Sequence, residues 1–218
     1  MRSRGSASGC TCARPSTPNW VIDAGPDEVI VATGSTPRRD GFQLSTPSIP
    51  VPGADLPHVY TSWDVLGFGG RATIGSTAVV YDDTGTFEAV STADKLVEAR
   101  ASVTVISRLE QLGANIAYPP ATVEASRERL LASRVHFVPV MALREITPTE
   151  VVVRGIGNDV VDTYPADTVV IVSYHEPNRD IVDHLGGHDF NVHLAGDVTG
   201  TSNIQAAIHA ASALARRI

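Results

Sequence analysis

The stretch AVVYDDTGTFEAVSTADKLVEARASVTVIS, residues 78–107, decides the fold class of this chain. It begins with an apolar strand over 78–82, passes through a polar turn that contains Gly85, and continues as a helix over 89–99. A second apolar strand follows at 103–107. A strand, a helix and a second strand within about 30 residues form a βαβ unit, whose right-handed crossover makes the two strands parallel. The stretch therefore predicts an α/β fold.

Other apolar runs supply further elements on both sides of this unit. The runs EVIVAT at 28–33 and DTVVIVS at 167–173 are typical of strands buried on both faces of a parallel sheet. Residues 1–27 are expected to be irregular, and the Pro-rich residues 35–70 are expected to connect two domains. The remaining expected elements are a helix at 121–132, a strand at 135–138, a hairpin of strands at 143–147 and 151–154, a strand at 192–195 and a helix at 203–217.

The C-terminal helix carries an apolar stripe near the 3.6-residue period, so one of its faces is expected to pack on a sheet. The members of this stripe are Ile204, Ile208, Ala211, Leu214, Ala215 and Ile218. Before the helix, Pro177 stops an extended segment, and Asn178 is expected to cap the helix that follows it. No internal repeat is present in the sequence.

Composition and charge exclude several classes of function. The chain has 218 residues, 43% of them hydrophobic, and 17 Lys and Arg against 24 Asp and Glu. The resulting net charge of -7 repels a phosphate backbone, so nucleic acid is not an expected partner. No apolar run approaches the roughly 18 residues of a membrane span. The first residues contain no apolar signal core, which favours a cytoplasmic protein.

Metal and hydrolase chemistry find no support in the sequence. Cys10 and Cys12 lie in a Ser/Pro/Gly-rich tail, which is interpreted either as a leader or gene-start artefact or as a redox pair. The seven histidines show no metal-ligand spacing, so no metal site is predicted. The sequence also has no G-x-S-x-G nucleophile motif, and we identify no catalytic residue.

The turn inside the βαβ unit departs from a phosphate-binding loop. Such a loop requires glycines spaced G-x-G-x-x-G, whereas this turn offers Gly85 together with Asp82, Asp83 and Glu88. The carboxylates would repel a pyrophosphate, and they are expected to form a solvated turn; a set of paired catalytic carboxylates is the alternative interpretation. Arg108 ends the next strand, where a basic residue favours a 2′-phosphate; a surface arginine is the alternative interpretation.

Two strand ends resemble each other, and their order along the chain resembles a known plan. VATGS at 31–35 and LAGDV at 194–198 both finish in small residues, which let a ligand approach the backbone. With the central βαβ unit and the strand-x-x-Pro-Asn pattern ending at Asn178, they resemble the two-dinucleotide-fold flavoproteins, the disulfide reductases and their relatives. The resemblance covers residues 28–218. It implies two interleaved Rossmann-like units of the glutathione-reductase type.

The wording of the motifs resembles one branch more narrowly. The acidic loop DDTGTFEAVSTADKL, with ATGSTPRRDG and IPVPGAD, is similar to the C-terminal region of the trimethylamine dehydrogenase, histamine dehydrogenase and 2,4-dienoyl-CoA reductase branch of the old yellow enzyme family. In that branch the region binds FAD or ADP, beside a barrel that carries FMN and an iron-sulfur cluster. No G-x-G-x-x-G precedes the ATG strand here, so the FAD-type unit is expected to be incomplete.

This resemblance implies a set of cofactor-binding residues. Asp197 would accept a hydrogen bond from a sugar or ribityl hydroxyl, although a turn or cap role is its alternative. A second nucleotide site, for NAD(P)H, would use Asp83, Gly85 and Arg108. The residues expected to bind FAD or ADP are Ala32, Thr33, Gly34, Gly196, Asp197, Asn203, Ile204 and Gln205.

The domain prediction follows the same plan. Residues 1–27 form a tail, 28–70 and 190–218 form a partial FAD-type unit, and 71–189 form an NAD(P)-type unit. The predicted function is the flavin- and nucleotide-binding portion of an FAD-dependent NAD(P)H oxidoreductase that exchanges electrons with a partner flavin domain. The alternative is a non-catalytic module that binds ADP or aids assembly, or an inactive remnant.

The partial unit also predicts how the chain associates. The barrel, or the first βα turn of the FAD domain, is expected to come from another chain. Uncovered apolar strand edges are expected to cause self-association in its absence.

Overall fold

A computed structural model describes residues 18–116, 120–200 and 203–218. It divides the chain into two compact units. Unit 1 comprises Met1–Ser35 and Pro177–Ile218, and unit 2 comprises Thr36–Glu176. Both combine helices and strands, and the largest sheet is parallel, so the predicted α/β class is confirmed. The tail with Cys10 and Cys12 lies outside the described residues.

The elements alternate between strands and helices along most of the chain. The helices are α1 (Pro18–Asp23), α2 (Ser62–Leu66), α3 (Phe87–Glu98), α4 (Pro120–Ala132), α5 (Asp180–Leu185) and α6 (Ile204–Leu214), with a 3-10 helix at Gly196–Thr199. The strands are β1 (Glu28–Val31), β2 (Ser35–Thr36), β3 (Val59–Thr61), β4 (Thr77–Asp82), β5 (Ser102–Ser107), β6 (His136–Val138), β7 (Met141–Ile146), β8 (Glu150–Gly155), β9 (Val161–Pro165), β10 (Thr168–Val172), β11 (Glu176–Pro177) and β12 (Asn191–Leu194).

Unit 2 is built on a five-stranded parallel sheet in the order β3-β10-β4-β5-β6. Strands β4 and β5 pair in parallel from Thr77 opposite Ser102 to Asp82 opposite Ser107, which confirms the predicted βαβ unit. Strand β10 lies between β3 and β4, and all five of its residues are buried, as its unbroken apolar run predicts.

The two faces of this sheet are covered in different ways. Helix α3 packs one face through Ala89, Val90, Ala93 and Leu96, which recur at helical spacing and are buried. The opposite face contacts a three-stranded antiparallel sheet in the order β7-β8-β9. The hairpin of β7 and β8 was predicted, whereas the mostly exposed strand β9 was not.

Unit 1 contains a two-stranded parallel sheet of β1 and β12 around a small apolar core. Val21 of α1, Val31 of β1 and Val198 belong to this core. The prediction that 28–33 is buried on both faces is wrong, because the side chain of Ile30 is 51% exposed. The irregular structure predicted for 1–27 is wrong at α1, which the Val21 contact stabilises.

The packing predicted for the C-terminal helix is also wrong. Helix α6 has no buried residue, and the side chains of Ile204 and Ile208 are 79% and 63% exposed. The two-stranded sheet of unit 1 is narrow, and the apolar stripe of α6 stays open to solvent.

The Pro-rich residues 35–70 do more than connect two parts of the chain. They contribute β3, which pairs in parallel with β10, and α2, which begins directly after it. Asp64 in the first turn of α2 accepts hydrogen bonds from the backbone N–H and hydroxyl of Thr61, both at 2.8 Å. This capping box, with the apolar edge strand before it, fixes the segment at the side of the sheet.

Candidate functional site

The two strand ends that carry the predicted cofactor residues lie side by side in unit 1. Val31 at the end of β1 is opposite Leu194 at the end of β12. The ladder continues one step further, because Ala195 N donates to Val31 O at 2.9 Å. Residues 32–34 and 196–197 therefore leave the same end of one parallel pair, the end at which α/β sheets bind ligands.

Both strand ends turn at a glycine that faces open space. Gly34 and Gly196 each have a φ of +73°, a conformation that residues with a Cβ rarely adopt. A Cβ added at either position would meet no atom within 4 Å. The glycines are therefore required by the turns and not by crowding, and they leave room for a ligand to approach the backbone.

Asn178 holds the turn after β1, a role that the sequence did not suggest. Its side-chain amide donates to Thr33 O at 3.0 Å, and its backbone N–H donates to Gly34 O at 3.0 Å. The Thr33 hydroxyl returns a bond of 2.5 Å to Asn178 O. The predicted cap is wrong, because α5 begins with Arg179 at its N-cap position. The strand-x-x-Pro-Asn pattern was the available signal for this contact.

The neighbouring residues hold the second turn. Arg179 Nε donates to Val198 O at 3.2 Å. Val198 follows Asp197, which is half-buried. Asn203 caps α6 by accepting a hydrogen bond from Ala206 N at 2.8 Å. Ile204 and Gln205 are exposed in the first turn of that helix. Whether these residues face a cofactor stays a prediction.

In unit 2, Asp82 ends strand β4 and Asp83 follows it; both are fully buried, so the prediction of a solvated turn is wrong for both. Asp82 Oδ1 accepts hydrogen bonds from Gly85 N at 2.7 Å and Thr84 N at 3.1 Å. Asp82 Oδ2 has no hydrogen-bond partner among the described residues. Burial raises the pKa of Asp82 to about 6, although the two N–H groups oppose that rise.

Asp83 ties together segments that are far apart in the sequence. Its Oδ2 accepts hydrogen bonds from Leu44 N at 2.8 Å and from the Ser173 hydroxyl at 3.2 Å. Burial raises the pKa of Asp83, against the opposing effects of Leu44, Arg108 and Ser173. Gln43, which precedes Leu44, is also buried, and its side-chain amide forms two hydrogen bonds with the backbone of Leu143. The segment around Leu44 is thereby fixed beside the end of β4.

Arg108 is mostly buried and forms an ion pair with Asp83. Its Nε donates to Asp83 O at 2.7 Å and lies 3.1 Å from Asp83 Oδ1. Gly85 packs so closely that an added Cβ would lie 2.4 Å from Leu109 Cδ1. The prediction that Asp83, Gly85 and Arg108 bind a second nucleotide remains untested. The Gly85 N–H and the Asp83 carboxylate have partners within unit 2, and Arg108 is engaged there through its Nε.

Glu88 is half-buried at the start of α3 and does not belong to a solvated turn either. It accepts hydrogen bonds from the Ser62 hydroxyl and, at 3.0 Å, from His175 Nε2. His175 also contacts the edge of the Trp63 ring, with 5.8 Å between centroids. The neighbouring strands β3, β10 and β4 are followed by Ser62, His175 and Glu88, respectively. The order of the strands in the sheet therefore brings these three residues together.

Solved structures with a similar fold are oxidoreductases. A structure of 6-hydroxypseudooxynicotine amine oxidase from Pseudomonas geniculata N1 matches 90% of this chain and 30% of its own, with 27% identity and a TM-score of 0.82. Histamine dehydrogenase from Rhizobium sp. 4-9 matches 94% of this chain and 32% of its own, with 23% identity and a TM-score of 0.82. A 2-naphthoyl-CoA reductase gives 20% identity, a TM-score of 0.74, 89% coverage of this chain and 27% of its own.

The chain has the fold of flavoprotein oxidoreductase domains. More distant matches with the same fold include NAD-dependent and flavoprotein reductases. The chain spans about a third of the length of the first three structures. No family model matches the sequence.

The described residues hold neither a metal-binding cluster nor a membrane-spanning helix. Within 18–116, 120–200 and 203–218, no group of three or more His, Cys, Asp or Glu side chains is arranged to hold a metal ion. Over the same residues, no helix has the length and apolar character needed to cross a bilayer.

Proposed function

We propose that this chain is the flavin- and nucleotide-binding portion of an FAD-dependent oxidoreductase, and that it exchanges electrons with a partner flavin domain. Unit 1 is the proposed FAD-type unit, in two segments, with unit 2 interleaved between them. The FAD or ADP site would lie at residues 32–34, 196–197 and 203–205. The flavin would supply the electron transfer, and this chain would position it.

One observation carries this proposal: the ends of β1 and β12 are adjacent although they are far apart in the sequence. The open space in front of Gly34 and Gly196 supports a ligand at this end of the sheet. Asp197 follows Gly196 directly, so it lies at the same turn, and its carboxylate is the proposed acceptor of a hydrogen bond from a cofactor hydroxyl.

The finer assignment is part of the proposal. The motif wording and the fold shared with an amine oxidase and a histamine dehydrogenase support the trimethylamine dehydrogenase and dienoyl-CoA reductase branch. The narrow sheet of unit 1 and the uncovered face of α6 support an FAD-type unit that is completed by a partner or by a second copy.

A visible absorption spectrum tests the flavin proposal. We expect the purified chain to take up added FAD and to shift its absorption bands, because the ring leaves water for a protein environment. A protein that stays colourless after incubation with FAD and gel filtration contradicts the proposal. If ADP binds while FAD does not, the non-catalytic nucleotide-binding module is the better description.

A matched pair of variants locates the binding site. Asp197→Ala removes the proposed acceptor for a hydroxyl, and we expect FAD affinity to fall roughly tenfold, the value of one hydrogen bond to a charged group. Asp183→Ala removes an exposed carboxylate from α5 of the same unit and should leave affinity unchanged. Equal affinities of the two variants in an FAD titration would place the cofactor elsewhere.

A further inference from the structure

The carboxyl end of a parallel sheet normally binds phosphate through free backbone N–H groups that follow the first strand of a βαβ unit. Strand β4, the loop 83–86 and helix α3 occupy this place in unit 2. Here the N–H groups of Thr84 and Gly85 both point at Asp82 Oδ1. A carboxylate oxygen therefore accepts the hydrogen bonds that a phosphate oxygen would accept.

The basic residue that such a site requires is also engaged by a carboxylate of the chain itself. A basic side chain at the end of the next strand favours a nucleotide phosphate. Arg108 lies at that position, but its Nε contacts the carbonyl and the carboxylate of Asp83. Asp83 in turn accepts the hydrogen bond of Leu44 N, which holds the segment 43–45 beside the same strand end. The pair is internal and only one-fifth of the Arg108 side chain is exposed.

Space and charge agree with these contacts. Asp82 and Asp83 are both fully buried, so a second anion would have to displace one of them from its hydrogen bonds. Gly85 has no room for even a Cβ on the side that faces Leu109. The buried carboxylate of Asp82 would also repel a pyrophosphate, because charges interact more strongly in a buried site than in water.

We propose that Asp82 is a built-in substitute for a nucleotide phosphate, which closes unit 2 to NAD(P)H. Asp82 is thus the residue that determines which cofactor the chain excludes. The inference narrows the proposed function, but it concerns unit 2 alone. It stands or fails independently of whether FAD binds at the ends of β1 and β12.

The test uses inorganic pyrophosphate and the full chain, with the backbone amide signals of Thr84 and Gly85 followed by NMR. In the wild-type chain we expect no change at these two amides on addition of pyrophosphate. In Asp82→Ala both amides lose their acceptor, and we expect them to shift and to bind pyrophosphate roughly tenfold or more tightly than in the wild type.

Asp82→Asn is the matched control, because its side-chain oxygen keeps the two hydrogen bonds without the charge. On addition of pyrophosphate we expect the Thr84 and Gly85 amide signals of Asp82→Asn to stay unchanged. This result would show that the side chain excludes the anion by occupying the two N–H groups and not by its charge alone. Glu98→Gln removes one exposed charge from α3 and should behave like the wild type. Shifts at Thr84 and Gly85 in the wild-type chain would overturn the proposal, as would their absence in a folded Asp82→Ala protein.

A second measurement covers the case in which Asp82→Ala is poorly folded. Formate, the smallest carboxylate, should then raise the melting temperature of Asp82→Ala and leave that of the wild type and Asp82→Asn unchanged. A variant that formate fails to stabilise would also overturn the proposal, because the empty loop would have no preference for an anion.

Discussion

Asp82 imposes an electrostatic cost on the folded chain, because a buried carboxylate without solvent is stabilised by only a few N–H groups. Its pKa rises from the ordinary 3.8 to about 6. The folded chain therefore binds this proton more tightly than the unfolded chain does. The sign follows from linkage: Asp82 favours the folded state most at low pH, and this contribution is lost as the pH rises from about 4 to 6.

This residue makes a prediction about pH dependence. Compared with Asp82→Asn, the wild-type chain should lose on the order of 3 kcal/mol of unfolding free energy between pH 4 and 6.5, since each unit of pKa shift corresponds to about 1.4 kcal/mol. Urea unfolding of both proteins across this range measures the difference. Parallel curves for the two proteins would show that Asp82 ionises normally.

Single residues also show which features of the site can be predicted from the sequence. The chain positions of Asp82, Asp83 and Arg108 in the βαβ unit were predictable from the strand pattern. Their burial was not, because it depends on Leu44 and Ser173, which lie 39 and 90 residues from Asp83. A local pattern of acidic residues around a glycine indicates a turn, and only tertiary contacts determine whether water reaches it.

At the scale of elements, helix α3 supplies much of the apolar core on one face of the parallel sheet of unit 2. Leu96 is fully buried in α3, whereas Leu131 of α4 is 64% exposed. We expect Leu96→Ala to lower the unfolding free energy by about 2–5 kcal/mol, because it leaves a cavity under the sheet. Leu131→Ala should change it by less than about 0.5 kcal/mol. Equal losses in denaturant unfolding would contradict the packing described for α3.

The elements that the sequence predicted share a physical property. Strands β4, β5 and β10 and helix α3 bury most of a face, so their apolar period is visible in the sequence. Strand β9 was missed because VDTYP is mostly exposed and lies at the edge of its sheet. Helices α1 and α5 have only six residues each, too few for a helical period to appear.

For the whole molecule, the open apolar surface of unit 1 predicts association. Ile208 and Ile218 of the C-terminal segment are 63% and 50% exposed. Exposed apolar residues of this size favour contact with a second copy. We expect sedimentation velocity to show self-association that increases with concentration. A stable monomer at high concentration would contradict this.

A substitution identifies the surface responsible. Ile208→Glu places a charge on the exposed stripe of α6 and should shift the chain toward the monomer, because burying an unpaired carboxylate is costly. Leu131→Glu places the same charge on the exposed surface of α4 in unit 2. Its sedimentation should match that of the wild type. Dissociation by Leu131→Glu alone would place the contact on unit 2.

The pairing of β1 with β12 has a consequence for biosynthesis. Val31 leaves the ribosome 163 residues before its partner Leu194, since the register joins the two across all of unit 2. At about 5–20 residues per second, β1 waits roughly ten to thirty seconds with an unsatisfied edge. Unit 2 has emerged completely by then. The nascent chain thus carries a complete unit 2 and an unpaired β1 at the same time.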